Sequence, residues 1–241
     1  MDRYLVLFAR EPARQARDKG LSPGAARDLF LGFARGWADA ARLSRARLVI
    51  ATPPEDRPAW ERALDGACQP IWIFQRGRCL GVRLEDSARQ ATALGGHAVL
   101  VGGDVPPSAA ALLEAFEGLE GGAEASVSPA PDGGVSLVAL APADVDLLRR
   151  MRPRGRTVLR DLLLALAARG RRVRVVPPIP DVDGRTGLRS LLRSADIPAS
   201  LLVLAWSALL RPPVSKPTLP PNATRSVLHG PPVLRGPPLA A

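Results

Sequence analysis

The sequence predicts an α/β protein, a mostly parallel sheet with helices on both faces. Short apolar runs alternate along the chain with longer stretches whose apolar residues recur at three- and four-residue spacings. The segment His97-Ala-Val-Leu-Val-Gly-Gly-Asp104-Val-Pro106 has an apolar run, two glycines and then a lone carboxylate. A buried parallel strand delivers an acid in this way to the carboxyl edge of a sheet, where open α/β sheets bind ligands. Proline and glycine close two of the periodic segments, at Thr52-Pro-Pro and at Gly95-Gly96.

Taken in order, Tyr4–Ala9 is the first strand, followed by a polar loop through Pro23. Leu29, Phe30, Phe33, Trp37 and Ala41 mark an amphipathic helix, with Arg27, Asp28, Arg35 and Asp39 on its other face. Leu48–Ala51 is the second strand, Trp60–Leu64 lies on a short helix, and Ile71–Phe74 is the third strand. A helix over Leu84–Leu94 ends at glycine, as helix C-termini favour. His97–Val101 is the fourth strand, and Pro107–Leu119 a helix with Pro and Ser in its first turn. Two more strands, Ala123–Ser128 and Val135–Leu140, flank Pro131-Asp132-Gly133-Gly134. The helix Val158–Ala168, the strand Val173–Val176 and a short helix Leu188–Leu192 complete the pattern.

At 241 residues and 46% hydrophobic content the chain can bury a sizeable core, but with 4% aromatics Ala, Leu and Val must fill it. The net charge of +10 suits an anionic partner. The charge is spread along the chain, without basic runs interleaved with aromatics and without a zinc-finger or RNA-recognition signature. A phosphorylated small molecule explains the basicity as well as nucleic acid does, and net charge alone does not decide between them; weighed with the motifs, a nucleic-acid binder ranks last. Cys68 and Cys79 are too few for a disulfide framework or a zinc site, and the first nine residues lack a signal-peptide pattern. A cytoplasmic protein without a transmembrane segment is expected.

The composition changes at the end of the chain. From Ile197 onward there is no acidic residue, and ten of the 25 prolines fall there. The expected division is a folded domain over 1–196 and a Pro-rich disordered tail over 197–241, with Ile197–Leu210 able to pack as a terminal helix.

Chemistry concentrates at predicted strand ends. Asp104 follows the fourth strand, Asp132 lies in the Pro-Asp-Gly-Gly turn, and Asp183 follows the last strand in Pro180-Asp181-Val182-Asp183-Gly184. Mg2+ takes hard oxygen ligands, commonly one or two carboxylates with water and substrate phosphate, so two of these three suffice. The loop after the first strand supplies Arg10, Arg14, Arg17 and Lys19 ahead of a helix, a place where phosphates bind. Gln75 and Arg76 follow the third strand, and Gly102 and Gly103 would let a ligand approach the backbone. No Gly-x-Ser-x-Gly elbow or Cys–His pair is evident, so metal-assisted transfer from a phosphate-bearing donor suits the residue set better than a side-chain nucleophile.

The ordered set Phe8-Ala-Arg-Glu-Pro12, Leu21-Ser-Pro23, Gln75-Arg-Gly77, Leu80-Gly81, Arg83-Leu84, Gly102-Gly-Asp104-Val-Pro106, Asp132-Gly-Gly134 and Asp181-Val-Asp183 resembles the DUF2064 family over residues 3 to 195. The resemblance implies a Rossmann-like glycosyltransferase-A (GT-A) fold of the nucleotide-diphospho-sugar transferase superfamily. It implies Asp104 and Asp183 as ligands of Mg2+ or Mn2+ on a nucleotide-sugar donor, with Asp132 positioning the acceptor. Arg10, Arg14, Arg17, Lys19, Gln75, Arg76, Gly102 and Gly103 become donor contacts. The same fold admits a nucleotidyltransferase or a non-catalytic scaffold. The family's first loop reads Pro-Gly-x-x-Lys-Thr-Arg-Leu, whereas this chain has Gln15, Asp18 and Gly20 at the Gly, Lys and Arg positions. The Asp-Leu-Gly-Glu-Arg pattern becomes Cys79-Leu-Gly-Val82-Arg83. Gly-Ser-Asp-Ser-Pro becomes Gly102-Gly-Asp104-Val-Pro106, and Pro131 replaces a Glu. At roughly 1.5–3 kcal/mol per charge-assisted contact, losing two weakens donor binding on the order of a hundredfold or more. The resemblance is thus to a diverged member of the family, and it admits weakened or lost turnover.

Overall fold

The computed structural model describes residues 1–64, 68–151, 156–194 and 197–213. Seven strands form one sheet in the order β3-β2-β1-β4-β6-β5-β7. They are β1 (Asp2–Phe8), β2 (Arg47–Thr52), β3 (Ile71–Phe74), β4 (Gly96–Gly102), β5 (Ala125–Pro129), β6 (Val135–Leu140) and β7 (Val173–Val175). Neighbours are parallel except that β6 runs antiparallel to both β4 and β5. The carboxyl ends of six strands consequently share one edge, and the β5–β6 turn falls on that edge too.

The helices are α1 (Pro12–Asp18), α2 (Pro23–Leu43), α3 (Arg57–Leu64), α4 (Leu80–Thr92), α5 (Ala109–Glu120), α6 (Val158–Ala168), α7 (Arg185–Leu191) and α8 (Ala199–Leu210). Alternation on β1 sets the layers: Leu5 and Leu7 face one core with Trp37, Trp60 and Phe116, while Tyr4 and Val6 face another with Ala88, Ala91 and Leu166. Both cores are sealed, which is the condition for a parallel sheet. The predicted α/β class and its mostly parallel mixed sheet are what the structure has.

A third core lies beyond the sheet. Phe30 and Phe33 of α2 pack with Leu188 and Leu191 of α7 and with Leu201 and Ala205 of α8. The α2 residues expected on one face therefore divide, Trp37 and Ala41 meeting the sheet and Phe30 and Phe33 meeting α8. The terminal helix foreseen over Ile197–Leu210 is α8, so residues 199–210 pack with the folded body. The rest of the Pro-rich stretch, 214–241, lies outside the described residues, as does His229.

Three elements lie outside the sequence-based pattern, among them a short 3₁₀ turn at Pro54–Asp56. The loop after β1 contains α1, whose start is capped by the Glu11 carboxylate accepting from the Ala13 and Arg14 amides, with Pro12 as first helical residue. A 3₁₀ segment, Pro142–Arg150, follows β6 and is tied down by the buried Asp144, which pairs with Arg169 and Arg171. Ser108 is the N-cap of α5, accepting from the Ala111 amide, rather than a first-turn residue.

Candidate active site

Four segments meet at the carboxyl edge: the end of α1, the turn after β4, the β5–β6 turn, and the loop between β7 and α7. The turn after β4 is fixed from three sides. The Gly103 amide donates to the Phe8 carbonyl, the Val105 amide to Gly102, and the Trp37 indole to the Val105 carbonyl at 2.9 Å. The Val182 amide donates to the Asp104 carbonyl at 2.9 Å, so Asp181 and Asp183 flank a residue pinned to Asp104. Gly187, in the first turn of α7, makes room for this loop, since a Cβ there would lie 2.8 Å from the Asp181 carbonyl oxygen.

At the centre of these segments is Lys19, which ends α1. Its Nζ lies 2.5 Å from Asp104 Oδ2 and 2.7 Å from Asp183 Oδ1. Burial works against the ammonium's charge, but the two carboxylates outweigh it and hold its pKa above the ordinary lysine value. Asp181 stands behind this pair. Burial, then the charges of Asp104 and Asp132, push its carboxyl up to about 6, and Lys19 only partly offsets them. Asp132 is exposed in its turn, its Oδ1 accepting the Gly134 amide at 2.8 Å. Asp104 and Asp183 thus meet on one lysine, and the charges of Asp104 and Asp132 are both felt at Asp181. Among the described residues, no group of three or more His, Cys, Asp or Glu side chains converges closely enough to hold a metal ion.

A cationic half adjoins this acidic one. Arg83, in the first turn of α4, is half-buried; its Nη1 donates to Gln75 Oε1 at 3.5 Å, and among the described residues its buried Nε has no hydrogen-bond partner. Burial lowers the guanidinium's pKa, and the charges of Arg10 and Arg14 lower it further, while Asp18 and Cys79 act the other way. Of these arginines Arg83 is the one held against burial with no carboxylate of the described residues on it, and such a guanidinium is suited to an anion. Arg83 was not singled out as a donor contact from the sequence, although it stands at the arginine of the family's Asp-Leu-Gly-Glu-Arg pattern.

Several expected donor contacts have partners within the protein. Arg10 pairs with Asp18 at 2.6 Å, and Arg14 with Glu55 and Asp56 at 3.1 and 3.0 Å. Arg17 and Arg76 are exposed. Gln75 is buried, its Nε2 donating to the Ala9 and Ala51 carbonyls, so its amide braces the ends of β1 and β2. The space above Gly103 is filled by Ala9 and Gln15, and that above Gly102 by the Asp104 carboxylate, so these glycines admit neighbouring protein groups. His97 is half-buried at the amino end of β4, away from this edge, and both cysteines are free.

Residues 37–153 match the model of the DUF2064 family, "Uncharacterized protein conserved in bacteria", bearing out the resemblance carried by the motifs. Asp104, Asp132 and Arg83 lie in that stretch, while Lys19, Asp181 and Asp183 lie outside it. No curated protein matches the sequence. Similar solved structures include two proteins named as "putative": a nucleotide-diphospho-sugar transferase from Desulfovibrio desulfuricans G20 and a glucose-1-phosphate thymidylyltransferase from Bacillus anthracis. The first is 20% identical, with a TM-score of 0.71 over 86% of this chain and 99% of its own. The second is 12% identical, with a TM-score of 0.55 over 84% and 99%. A 4-diphosphocytidyl-2C-methyl-D-erythritol synthase from Anaerococcus prevotii is 10% identical, with a TM-score of 0.52 over 87% and 99%. At these identities the likeness is one of fold. Among the described residues no helix is long and apolar enough to cross a membrane.

Proposed function

We propose that this chain, DUF2064 over residues 37–153 and transferase-like in fold, binds a nucleotide-activated donor, a nucleotide sugar, and transfers the sugar to an acceptor. The observation that carries the reading is the meeting at one sheet edge of Asp104 and Asp183 on Lys19, with Asp181 and Asp132 adding charge, beside the half-buried guanidinium of Arg83 and the ion-paired Arg10 and Arg14. A donor pyrophosphate bound to a divalent cation has the complementary polarity, with phosphate oxygens for the guanidinium groups and a cation for the carboxylates.

The residue set fits Mg2+ or Mn2+. The oxygens of Asp104 and Asp183 already converge on one cationic atom, and Asp181 and Asp132 add negative charge that a single lysine does not balance. Asp104 and Asp183 would hold the ion, and its chemistry when bound is to neutralise charge developing on the departing nucleoside diphosphate. Arg83 would contribute a guanidinium charge to the same end from the other side. Gln75 keeps the ends of β1 and β2 in register beneath the site, and Asp132 presents a carboxylate to the acceptor.

Calorimetry with nucleotides and nucleotide sugars, with and without Mn2+, tests the reading. Metal-dependent binding of one donor is the expected result, and the absence of metal-dependent binding across the panel refutes it. Product analysis then separates sugar transfer, which releases nucleoside diphosphate, from a nucleotidyl transfer on the same fold, which releases pyrophosphate. Donor binding without turnover identifies a scaffold.

A further inference from the structure

Lys19 holds together parts of the chain distant in sequence. It caps α1, its backbone amide donating to the Gln15 and Ala16 carbonyls, and its ammonium bridges the turn after β4 and the loop before α7. That ammonium lies between the same two carboxylates that the proposed function gives to a divalent cation. Two cations cannot share one point, because like charges a few ångströms apart repel strongly at the low effective dielectric of a partly buried site.

We propose that Lys19 is an exchangeable internal counter-cation. It occupies the position between Asp104 and Asp183, and it yields that position only when a divalent cation arrives and a phosphate accepts the lysine. The inference rests on the assignment of Asp104 and Asp183 as metal-holding residues.

The charge balance favours exchange over a permanent clamp. Withdrawing the ammonium alone would leave Asp104 and Asp183 facing each other with Asp181 and Asp132 close by. Entry of a doubly charged ion removes that penalty and releases a single positive charge to the donor's pyrophosphate. The other cations of this loop are placed differently. Arg10 and Arg14 are paired with Asp18, Glu55 and Asp56, none of which belongs to the acidic cluster, and Arg17 is exposed. Lys19 is the one whose partners the incoming ion would itself engage, and its flexible four-carbon stem permits the movement. Metal and donor then bind cooperatively, because each removes an obstacle to the other.

The test is Mn2+ binding to the full chain without nucleotide, read from the electron paramagnetic resonance signal of the free ion. Lys19→Met removes the competing charge and is expected to bind Mn2+ at least tenfold more tightly than the wild type, whereas Lys19→Arg keeps the charge and stays weak. Lys19→Gln, which retains a hydrogen-bond donor without charge, repeats the measurement should the Met variant not fold. If the folded uncharged variant binds Mn2+ no more tightly than the wild type, the exchange is overturned while the donor reading stands. If no variant binds Mn2+ at all, the metal assignment beneath both proposals falls.

Discussion

Replacing Asp181 by Asn should stabilise the protein, and only above the pH at which the native carboxyl ionises. This carboxyl is pushed to about 6 by burial and by the charges of Asp104 and Asp132. An ordinary aspartate titrates near 3.9 in the unfolded chain, so the shift is about two units, a ceiling of roughly 3 kcal/mol. Partial exposure of the side chain and solvent screening reduce this to about 1–2 kcal/mol. The sign follows from proton uptake. Between about pH 4 and pH 6 the folded chain holds a proton on Asp181 that the unfolded chain has released. The favourable contribution is therefore complete below pH 4 and is lost as pH rises through 6. Asn cannot ionise and avoids the loss. Urea unfolding at pH 4 and pH 8 should find Asp181→Asn close to wild type at the lower pH and about 1–2 kcal/mol more stable at the higher one. An equal change in stability at both values would show that Asp181 does not carry a burial-strained charge.

Two substitutions test how the edge is held. Gly103→Ala places a Cβ 2.5 Å from the Ala9 Cβ and 2.8 Å from Gln15 Oε1, and should cost about 1–3 kcal/mol in chemical denaturation. Trp37→Phe leaves the Val105 carbonyl without its indole donor in a buried setting, and a thermal scan should register a loss of about 1–3 kcal/mol with the overall fold retained by circular dichroism.

The strands were legible because sheet burial imposes alternation or a continuous apolar run, and both can be counted along a sequence. The approximate positions of Asp104, Asp132 and Asp183 followed from those strand ends. Helix α1 was not legible, because its cap is a glutamate and its backbone entry is steadied by Asp56, which accepts the Glu11 amide from a segment well along the chain. The partnership of Lys19 with Asp104 and Asp183 had no sequence signal, since it spans most of the domain. Lys19 read instead as one of several loop cations available to phosphate. Asp181 belongs to Asp181-Val-Asp183, and its burial, the approach of two other carboxylates and the ion pair that Asp183 makes with Lys19 distinguish the two acids. Gly102 and Gly103 illustrate the opposite error. Glycine at a strand end signals close approach, but whether the visitor is ligand or protein is decided by tertiary packing.

The hydrogen bond from the Val182 amide to the Asp104 carbonyl has a bearing on the order in which the molecule assembles. It joins the middle of the chain to a loop late in the sequence, and such distant closures form slowly compared with local ones. As the chain leaves the ribosome, β1 to β4 can pair and bury both faces of their half of the sheet before residue 182 is made. The acidic edge cannot exist until then. A fragment ending before Pro180 should retain the parallel half-sheet as a nascent subdomain yet lack the second wall of the site, which makes this edge among the last features of the molecule to be built.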